Sequence, residues 1–128
     1  MIVGVGMDVV PVERVHQLIE RHGDRALKRL FTETELARAR DLAHQALHLA
    51  GRLAAKEAAY KALSAEGADL GIGWQSIEVE RLEDGRPRLV LHGPALARFR
   101  ALKASRAHIS LSHDGGIAAA VVILERDE

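Results

Sequence analysis

The sequence predicts an α+β domain in which antiparallel strands pack on one long central helix. The helix is indicated by an alanine-rich run, RLAAKEAAYKAL at residues 52–63, because alanine and leucine favour helix and the small side chains allow close packing. Two strands are indicated by the runs SIEVERL and RLVLHG, which flank Asp84-Gly85, a pair favoured in tight hairpins. Two later runs, HISLSH and IAAAVVIL, also have strand character.

Length and composition limit the class of protein. With 128 residues and 48% hydrophobic content, the chain is expected to fold as one domain, residues 1–128. The absence of cysteine excludes a disulfide framework and a thiol nucleophile, and it fits a reducing compartment. Lys and Arg balance Asp and Glu at 18 each, so net charge does not indicate a nucleic-acid partner. The sequence starts without a basic leader and has no apolar run of about 20 residues, so we expect a cytoplasmic protein with no membrane partner.

The beginning of the chain predicts a strand and then a helix. Residues 2–7 are apolar or glycine, which is typical of a buried strand, and the run ends at Asp8, the first charged residue. Pro11 suits the first turn of a helix, and apolar residues at helical spacing predict that this helix ends near Gly23.

A second helix and the central helix are expected next. Thr32 and Glu35 have the spacing of a capping box, so the second helix should begin near residue 33. The central helix should begin near residue 46 and end at a glycine-rich loop, residues 65–73, which could approach a ligand closely.

The last two strands differ in their expected environments. Ile109 and Leu111 alternate with Ser110 and Ser112, which predicts a strand with one apolar and one polar face. The run IAAAVVIL is apolar throughout and should be a central strand of the sheet.

Four charged side chains lie inside the alanine-rich helix, where burying a charge costs free energy unless it is paired. Residues four apart share a helical face, so Arg52 and Lys56 lie on one side while Glu57 and Lys61 lie together on a neighbouring side. In a random helix, Glu57 and Lys61 would be explained as an ordinary ion pair of small energetic value.

Polar groups interrupt the apolar pattern at three places. These are Asp8 after the first strand, Glu57 and Lys61 on the central helix, and the Ser-His-Asp run at residues 112–114. Two carboxylates from separate elements are usual ligands for Mg²⁺, and a nearby lysine balances charge on a bound phosphate. Together these groups indicate a site for phosphoryl transfer, although Asp8 could instead bond backbone amides of the next turn and His113 could be an ordinary surface histidine.

Other motifs do not lead to a site. Gly4 and Gly6 form a G-x-G, but Val9 stands where a dinucleotide fingerprint needs glycine, and there is no Walker loop. His44 and His48 have no acidic or cysteine partner for zinc, and a solvated helix face explains them better. Adjacent serine and histidine on one strand point to opposite sides, so a hydrolase triad is excluded as well.

Three motifs occur in the same order in a known family. GVGMDVVPVERV, RLAAKEAAYKAL and HISLSHDGGIAAAVVILE, with FTETEL and a G-x-P-x-L hairpin at Gly85, Pro87 and Leu89, resemble holo-acyl-carrier-protein synthase, the small 4′-phosphopantetheinyl transferase of bacterial fatty-acid synthesis. The resemblance extends over nearly the whole chain.

The resemblance implies a single phosphopantetheinyl-transferase domain of α+β class and a Mg²⁺-dependent transferase. The reaction would move 4′-phosphopantetheine from coenzyme A to a serine of apo-acyl carrier protein and release adenosine 3′,5′-bisphosphate. Asp8 and Glu57 would hold Mg²⁺, Lys61 would neutralise charge on the phosphate oxygens, and Glu57 would help to remove the serine proton.

The resemblance also assigns residues that bind the coenzyme. Lys61, Arg52, His113 and Ser112 would contact the phosphates of coenzyme A, the substrate. The loop that contains Gly67 would shape the adenine end.

A basic stripe on the first helix is expected to bind the acidic carrier protein, because the family's arginine at the first of its positions contacts the carrier. The stripe consists of Arg14, Arg21, Arg25 and Lys28, provided that the helix continues past Gly23. Small members of the family form homotrimers with sites between subunits, so a homotrimer is expected here.

Two other functions remain open at the level of sequence. A non-catalytic module could bind coenzyme A or a carrier protein without turnover, but it would not need Asp8, Glu57 and Lys61 together. A Mg²⁺-dependent phosphohydrolase that acts on small nucleotides would use similar groups.

Overall fold

Five strands and four helices make up the part of the chain that the structure describes, which is residues 1–40, 42–64 and 71–127. In this computed structural model the elements are β1 Ile2–Pro11, α1 Val12–Leu30, α2 Glu33–Arg40, α3 Gln45–Ser64, β2 Ile77–Arg81, β3 Pro87–Leu91, α4 Gly93–Ala101, β4 Arg106–Asp114 and β5 Ile117–Glu125. A short 3₁₀ turn, Trp74–Ser76, precedes β2. None of the helices described is long and apolar enough to cross a membrane.

The strands form a three-stranded sheet and a separate hairpin. β5 lies between β1 and β4 and is antiparallel to both, and β2 pairs with β3. The apolar run at residues 117–124 is therefore the central strand, as its composition predicts. α3 packs on β1 and β5, which confirms the predicted antiparallel sheet on a long central helix.

Two glycines allow β1 to approach α3 closely. A Cβ added at Gly6 would lie 1.8 Å from the carbonyl oxygen of Ala58, and one added at Gly4 would lie 2.3 Å from that of Ala62. Any side chain at these positions would push the strand away from the helix. The G-x-G pair therefore serves packing, and it brings Asp8, the next residue on the same face of β1, against α3.

The first strand differs from its prediction. β1 continues past Asp8 to Pro11, and it is an edge strand of the sheet with one buried face. On the other face, Val5 and Met7 are 59% and 60% exposed. The prediction of a buried strand that ends at Asp8 is wrong, because apolar composition alone does not distinguish a face covered by α3 from one that is open.

The first helix is interrupted but does not end where the sequence predicts. Gly23 has φ 56° and ψ −143°, a conformation that is open to glycine and strained for other residues. Helix resumes after this kink and continues to Leu30. The glycine therefore changes the direction of α1 rather than terminating it.

The capping box that predicts the second helix is present. The Thr32 N–H donates to Glu35 Oε1 at 2.9 Å, and the Glu35 N–H donates to Thr32 Oγ1 at 3.2 Å. Phe31 and Leu36 are both buried on the core side of this turn. α2 begins at Glu33, where the motif places it.

Candidate active site

Asp8 and Lys61 meet where β1 lies on α3. Lys61 Nζ donates to Asp8 Oδ1 at 3.0 Å and to the carbonyl oxygen of Met7 at 3.0 Å. The ion pair of Lys61 is therefore made with the strand, and not within the helix as an ordinary i,i+4 pair with Glu57 would be. The close strand-to-helix packing at Gly6 allows this contact.

Glu57 faces the same site from one helical turn earlier. Arg14 Nη2 donates to Glu57 Oε1 at 3.1 Å, so α1 also reaches the site. The Glu57 side chain is 17% exposed and that of Arg14 is 50% exposed. Three elements, β1, α1 and α3, thus hold two acidic and two basic groups together.

The two carboxyl groups at this site influence one another. Burial, a hydrogen bond with Asp8 and the negative charge of Asp8 raise the pKa of Glu57 to about 7, and Arg14 opposes the shift. For Asp8, burial raises the pKa, but hydrogen bonds with Glu57 and Lys61 and the charge of Lys61 outweigh burial and lower it. The pair therefore shares a proton near neutral pH, with the proton mainly on Glu57.

The donor set fits a hard divalent cation. Asp8 Oδ2 is buried, and when Glu57 is ionised it has no hydrogen-bond donor among the described residues. When Glu57 is protonated, its O–H can donate to Asp8. A cation would relieve the repulsion of two facing carboxylates in the same way as that proton does. No group of three or more His, Cys, Asp or Glu side chains suited to a metal occurs in the described residues. Two carboxylates fit Mg²⁺, which completes its shell with water and phosphate oxygens.

In the absence of divalent cations, Glu57 should make the protein less stable as pH rises. Its pKa is raised from 4.5 to about 7, so in that window the folded protein holds a proton that the unfolded chain has lost. Stability then falls with increasing pH across the window. In EDTA, the melting temperature of wild type should drop from pH 5 to pH 8 more than that of Glu57→Gln, which carries no ionisable group there. Equal drops in the two melting temperatures would show that folding does not raise the pKa of Glu57.

The predicted serine and histidine lie at another part of the surface. Ser112 and His113, near the end of β4, line a cavity of about 310 Å³ together with Arg52 of α3. The described contacts of these two residues do not include the carboxyl pair. Ser110 and Ser112 are exposed and Ile109 and Leu111 are partly buried, which confirms the predicted alternation.

A larger cavity adjoins the first and is rich in arginine. Its volume is about 660 Å³, and its described lining contains no acidic residue. The charged and polar lining side chains are His48, Arg52, Arg81, Arg86, Arg88, His108 and Ser110. The three hairpin arginines were not predicted as site residues, although their clustering around the Asp84-Gly85 turn was a usable signal. Gly67, predicted to bind the coenzyme, lies outside the described residues.

Comparison with known proteins gives the family. The sequence model described as the 4′-phosphopantetheinyl transferase superfamily matches residues 4–122. The chain belongs to this superfamily. The match includes Asp8, Arg14, Glu57 and Lys61, which together form the site described above.

Curated relatives and solved structures agree with this membership. The chain is 48% identical to a holo-[acyl-carrier-protein] synthase of Nitratidesulfovibrio vulgaris (strain DP4), over 98% of this chain and 99% of that protein. It is 44% identical to one of Koribacter versatilis, with the same coverage. The structure of the Neisseria meningitidis synthase matches with a TM-score of 0.85 at 29% identity, over 98% of this chain and all of that one. The Helicobacter pylori synthase in complex with coenzyme A matches with a TM-score of 0.81 at 26% identity, over 94% and 99%.

In this phosphopantetheinyl transferase the predicted basic stripe is divided. Arg14 is at the carboxyl pair, while Arg21 and Arg25 line a cavity of about 550 Å³ that also includes Arg29. Lys28 lines a different cavity. The kink at Gly23 breaks the continuous helix on which the four-residue stripe depends.

A buried ion pair that the sequence pattern does not indicate joins α2 to α3. Lys56 is fully buried, and its Nζ donates to Glu35 Oε1 at 2.6 Å and lies 5.4 Å from the centre of the Phe31 ring. The N–H of Val79 donates to Glu35 Oε2 at 2.9 Å. Burial lowers the pKa of Lys56, and the charge of Glu35 opposes that shift. Glu35 therefore joins α2, α3 and β2.

The two histidines predicted to lie on a solvated face differ. His44 is exposed, as expected. His48 is partly buried, lines both adjoining cavities and has a buried Nε2 without a hydrogen-bond partner in the described residues. For His48 the prediction is wrong, because the sheet and the hairpin cover this part of α3.

Proposed function

We propose that this protein transfers 4′-phosphopantetheine from coenzyme A to a serine hydroxyl of apo-acyl carrier protein, with release of adenosine 3′,5′-bisphosphate. The observation that supports it most is the meeting of Asp8, Glu57 and Lys61 where β1 packs on α3. Proteins named holo-[acyl-carrier-protein] synthase that match nearly the whole chain support the same activity.

The side chains of the site suit the chemistry of this transfer. The Glu57 carboxylate can take the proton of the serine hydroxyl, and in the metal-free site burial and Asp8 raise its pKa to about 7. The serine oxygen then forms a bond to the phosphorus that carries pantetheine, and the anhydride bond to adenosine 3′,5′-bisphosphate breaks with its electron pair. Lys61, held by Asp8, is placed to neutralise charge on the phosphate oxygens.

We further propose that Asp8 and Glu57 hold Mg²⁺. The buried Asp8 Oδ2, which has no donor among the described residues when Glu57 is ionised, supports this assignment, as does the repulsion between the two carboxylates. When bound, Mg²⁺ would compensate the negative charge of the pyrophosphate oxygens as the anhydride bond breaks.

Coenzyme A is a polyanion, and the arginine-lined cavity matches its charge. Arg52 lies between the two cavities, so it can serve a phosphate that His113 and Ser112 also approach. Burial lowers the pKa of Arg52 and Glu35 opposes the shift, while the nearby arginines add to it. An anionic ligand would relieve this crowding of positive charge.

The proposed reaction is tested by the release of adenosine 3′,5′-bisphosphate from coenzyme A in Mg²⁺, with and without apo-acyl carrier protein. A transferase releases it only when the carrier is present, in equal amount to the carrier modified. Release without carrier would indicate a phosphohydrolase. No release in either case would indicate a module that binds without turnover. Each of these two results would overturn the proposal.

Docking of the acidic carrier is assigned to Arg21 and Arg25 on the outer part of α1. The double change Arg21→Glu and Arg25→Glu should raise the carrier's KM about tenfold or more and weaken its salt dependence, because rim charges mainly steer association. The KM for coenzyme A should stay unchanged. Arg14 is left intact because it bonds Glu57, and Arg40→Glu on α2 is the matched control. An unchanged carrier KM in the double variant would place docking elsewhere.

An apolar face of the sheet supports the proposed homotrimer. Exposed large side chains on the outer face of β1 and at the start of β5 are Val5, Met7, Val9 and Ile117. Contiguous apolar surface of this kind is typical of an interface.

Val5→Glu should reduce the sedimentation mass from three chains to one, because it places a charge in the middle of this face. Glu83→Lys, on the exposed hairpin turn, should leave the mass unchanged. A monomeric wild type, or a trimeric Val5→Glu, would contradict the assignment.

Cytoplasmic location and a role in fatty-acid synthesis belong to the same proposal. Both substrates are cytoplasmic molecules, and the sequence has no cysteine that would require an oxidising compartment.

A further inference from the structure

His48 occupies a distinctive position on α3. It lies one helical turn before Arg52 and borders both the cavity of about 660 Å³ and the one of about 310 Å³. Its Nε2 is buried and finds no hydrogen-bond partner among the residues that the structure describes. A buried polar nitrogen without a partner is costly, and a partner supplied by a ligand would remove that cost.

Among the described residues, the charged side chains that act on His48 are positive. Arg38 lies on α2, Arg52 on α3 and Arg81 on β2, and all three act electrostatically on the imidazole. The remaining titratable side chains that line the two cavities are His44, Arg86, Arg88, His108 and His113. His108 already contacts Glu125 at 3.0 Å, and the described lining of neither cavity contains Asp or Glu.

This environment keeps the imidazole neutral in the free protein. Burial, followed by the charges of Arg52, Arg38 and Arg81, lowers the pKa of His48 to about 4. Two of the four lining arginines are paired with carboxylates outside the lining, Arg86 with Asp84 and Arg88 with Glu80. The charge of Arg52 and Arg81 still favours a ligand with high negative charge. The most highly charged phosphate of coenzyme A is its dianionic phosphate monoester, which dephospho-coenzyme A lacks.

We propose that His48 couples occupation of the arginine-lined cavity by the phosphate monoester of coenzyme A to the uptake of one proton. The proton comes from solvent and binds Nε2, and the new N–H donates to a phosphate oxygen. The negative ligand compensates the arginine charges that disfavour the imidazolium, so the protonated form becomes the stable one in the complex. This inference rests on the proposed function, because it takes coenzyme A as the ligand.

Proton uptake by His48 would make the affinity for coenzyme A depend on pH. If His48 is neutral when free and protonated when bound, the affinity for coenzyme A increases as pH falls through the physiological range, by up to about tenfold for each pH unit. The phosphate monoester itself begins to take up a proton near pH 6, a change that does not depend on His48. Variants of His48 therefore separate the two effects.

Calorimetry in buffers of different ionisation enthalpy measures proton uptake directly. At pH 7, wild type should take up more protons per coenzyme A bound than His48→Gln, with a difference approaching one, whereas dephospho-coenzyme A should give no difference. His16→Gln, which changes an exposed histidine on α1 that is in the described lining of neither cavity, should behave as wild type. Equal proton uptake in wild type and His48→Gln would overturn the inference.

A measurement on the wild-type protein avoids any dependence on how the variant folds. The NMR titration of the His48 imidazole should give a pKa that rises by about four units when coenzyme A is added, which is the rise that uptake of nearly one proton at pH 7 requires. An unchanged pKa would refute the coupling. If the protein transfers phosphopantetheine but the pKa of His48 does not shift, the coupling is refuted and the proposed function stands. Absence of coenzyme A binding in calorimetry would instead count against the proposed function.

Discussion

Asp8→Asn is expected to lower the rate of phosphopantetheine transfer by about 10²-fold or more, while the melting temperature stays close to that of wild type. The amide keeps the size of the side chain but removes the negative charge that holds Lys61 and would ligate Mg²⁺. Glu57→Gln should have a similar effect, because it removes both a proposed Mg²⁺ ligand and the proposed base.

The initial rate of holo-carrier formation at limiting Mg²⁺ is the measurement for both variants. Raising Mg²⁺ should restore only part of the rate, since one carboxylate of the pair remains. Because both residues serve one site, the double variant should be little slower than either single variant. Glu33→Gln, an exposed carboxylate at the start of α2, is the matched control. A near-wild-type rate for either variant at limiting Mg²⁺ would separate that residue from the metal.

Loss of one partner of the buried Glu35–Lys56 pair is expected to destabilise the fold by about 3–5 kcal/mol. Glu35→Ala leaves the Lys56 ammonium without its counter-charge at a fully buried position, and it also leaves the Val79 N–H without its acceptor. Lys56→Ala leaves the Glu35 carboxylate buried and removes a long side chain from beneath the Phe31 ring.

Urea unfolding monitored by circular dichroism measures both changes. Lys56→Met combined with Glu35→Leu should lose less stability than either alanine variant, because no unpaired charge is buried. Arg86→Ala, which removes an exposed ion pair but keeps the turn bond from the residue 86 N–H to Asp84, should leave the unfolding midpoint unchanged. An alanine variant of Glu35 that is as stable as wild type would show that the pair is not structural.

Features that depend on neighbouring residues in sequence were predictable. The capping box at Thr32 and Glu35 needs only residues three apart, and α2 begins where the motif predicts. The alanine-rich run likewise predicts α3, and the charges inside it led to Glu57 and Lys61. Asp8 could be added because it follows an apolar run, and the structure places it 3.0 Å from Lys61.

Features that depend on which distant surfaces meet were not predictable in the same way. Glu35 and Lys56 are 21 residues apart, and each has a simpler local explanation, a cap or an exposed helical charge. His48 has the helical position of a solvated residue until the hairpin and the sheet cover it. The role of Gly4 and Gly6 in packing requires α3 as the opposite surface, which the G-x-G pattern does not indicate.

The open face of β1 illustrates the same limit for assemblies. Val5 and Met7 give the strand an apolar composition, and a single sequence does not tell whether a helix of the same chain or another subunit covers them. The structure answers for the inner face, where α3 packs. Sedimentation of the wild-type protein and of Val5→Glu addresses the outer one.

The proposed transfer is tested by the intact mass of an acyl carrier protein after incubation with coenzyme A, Mg²⁺ and this protein. We expect the apo-carrier to gain the mass of one phosphopantetheine with wild type, and a carrier whose acceptor serine is changed to alanine to gain nothing. A carrier mass that stays at the apo value with wild type, under conditions in which a known holo-[acyl-carrier-protein] synthase converts it, would show that this protein does not transfer phosphopantetheine.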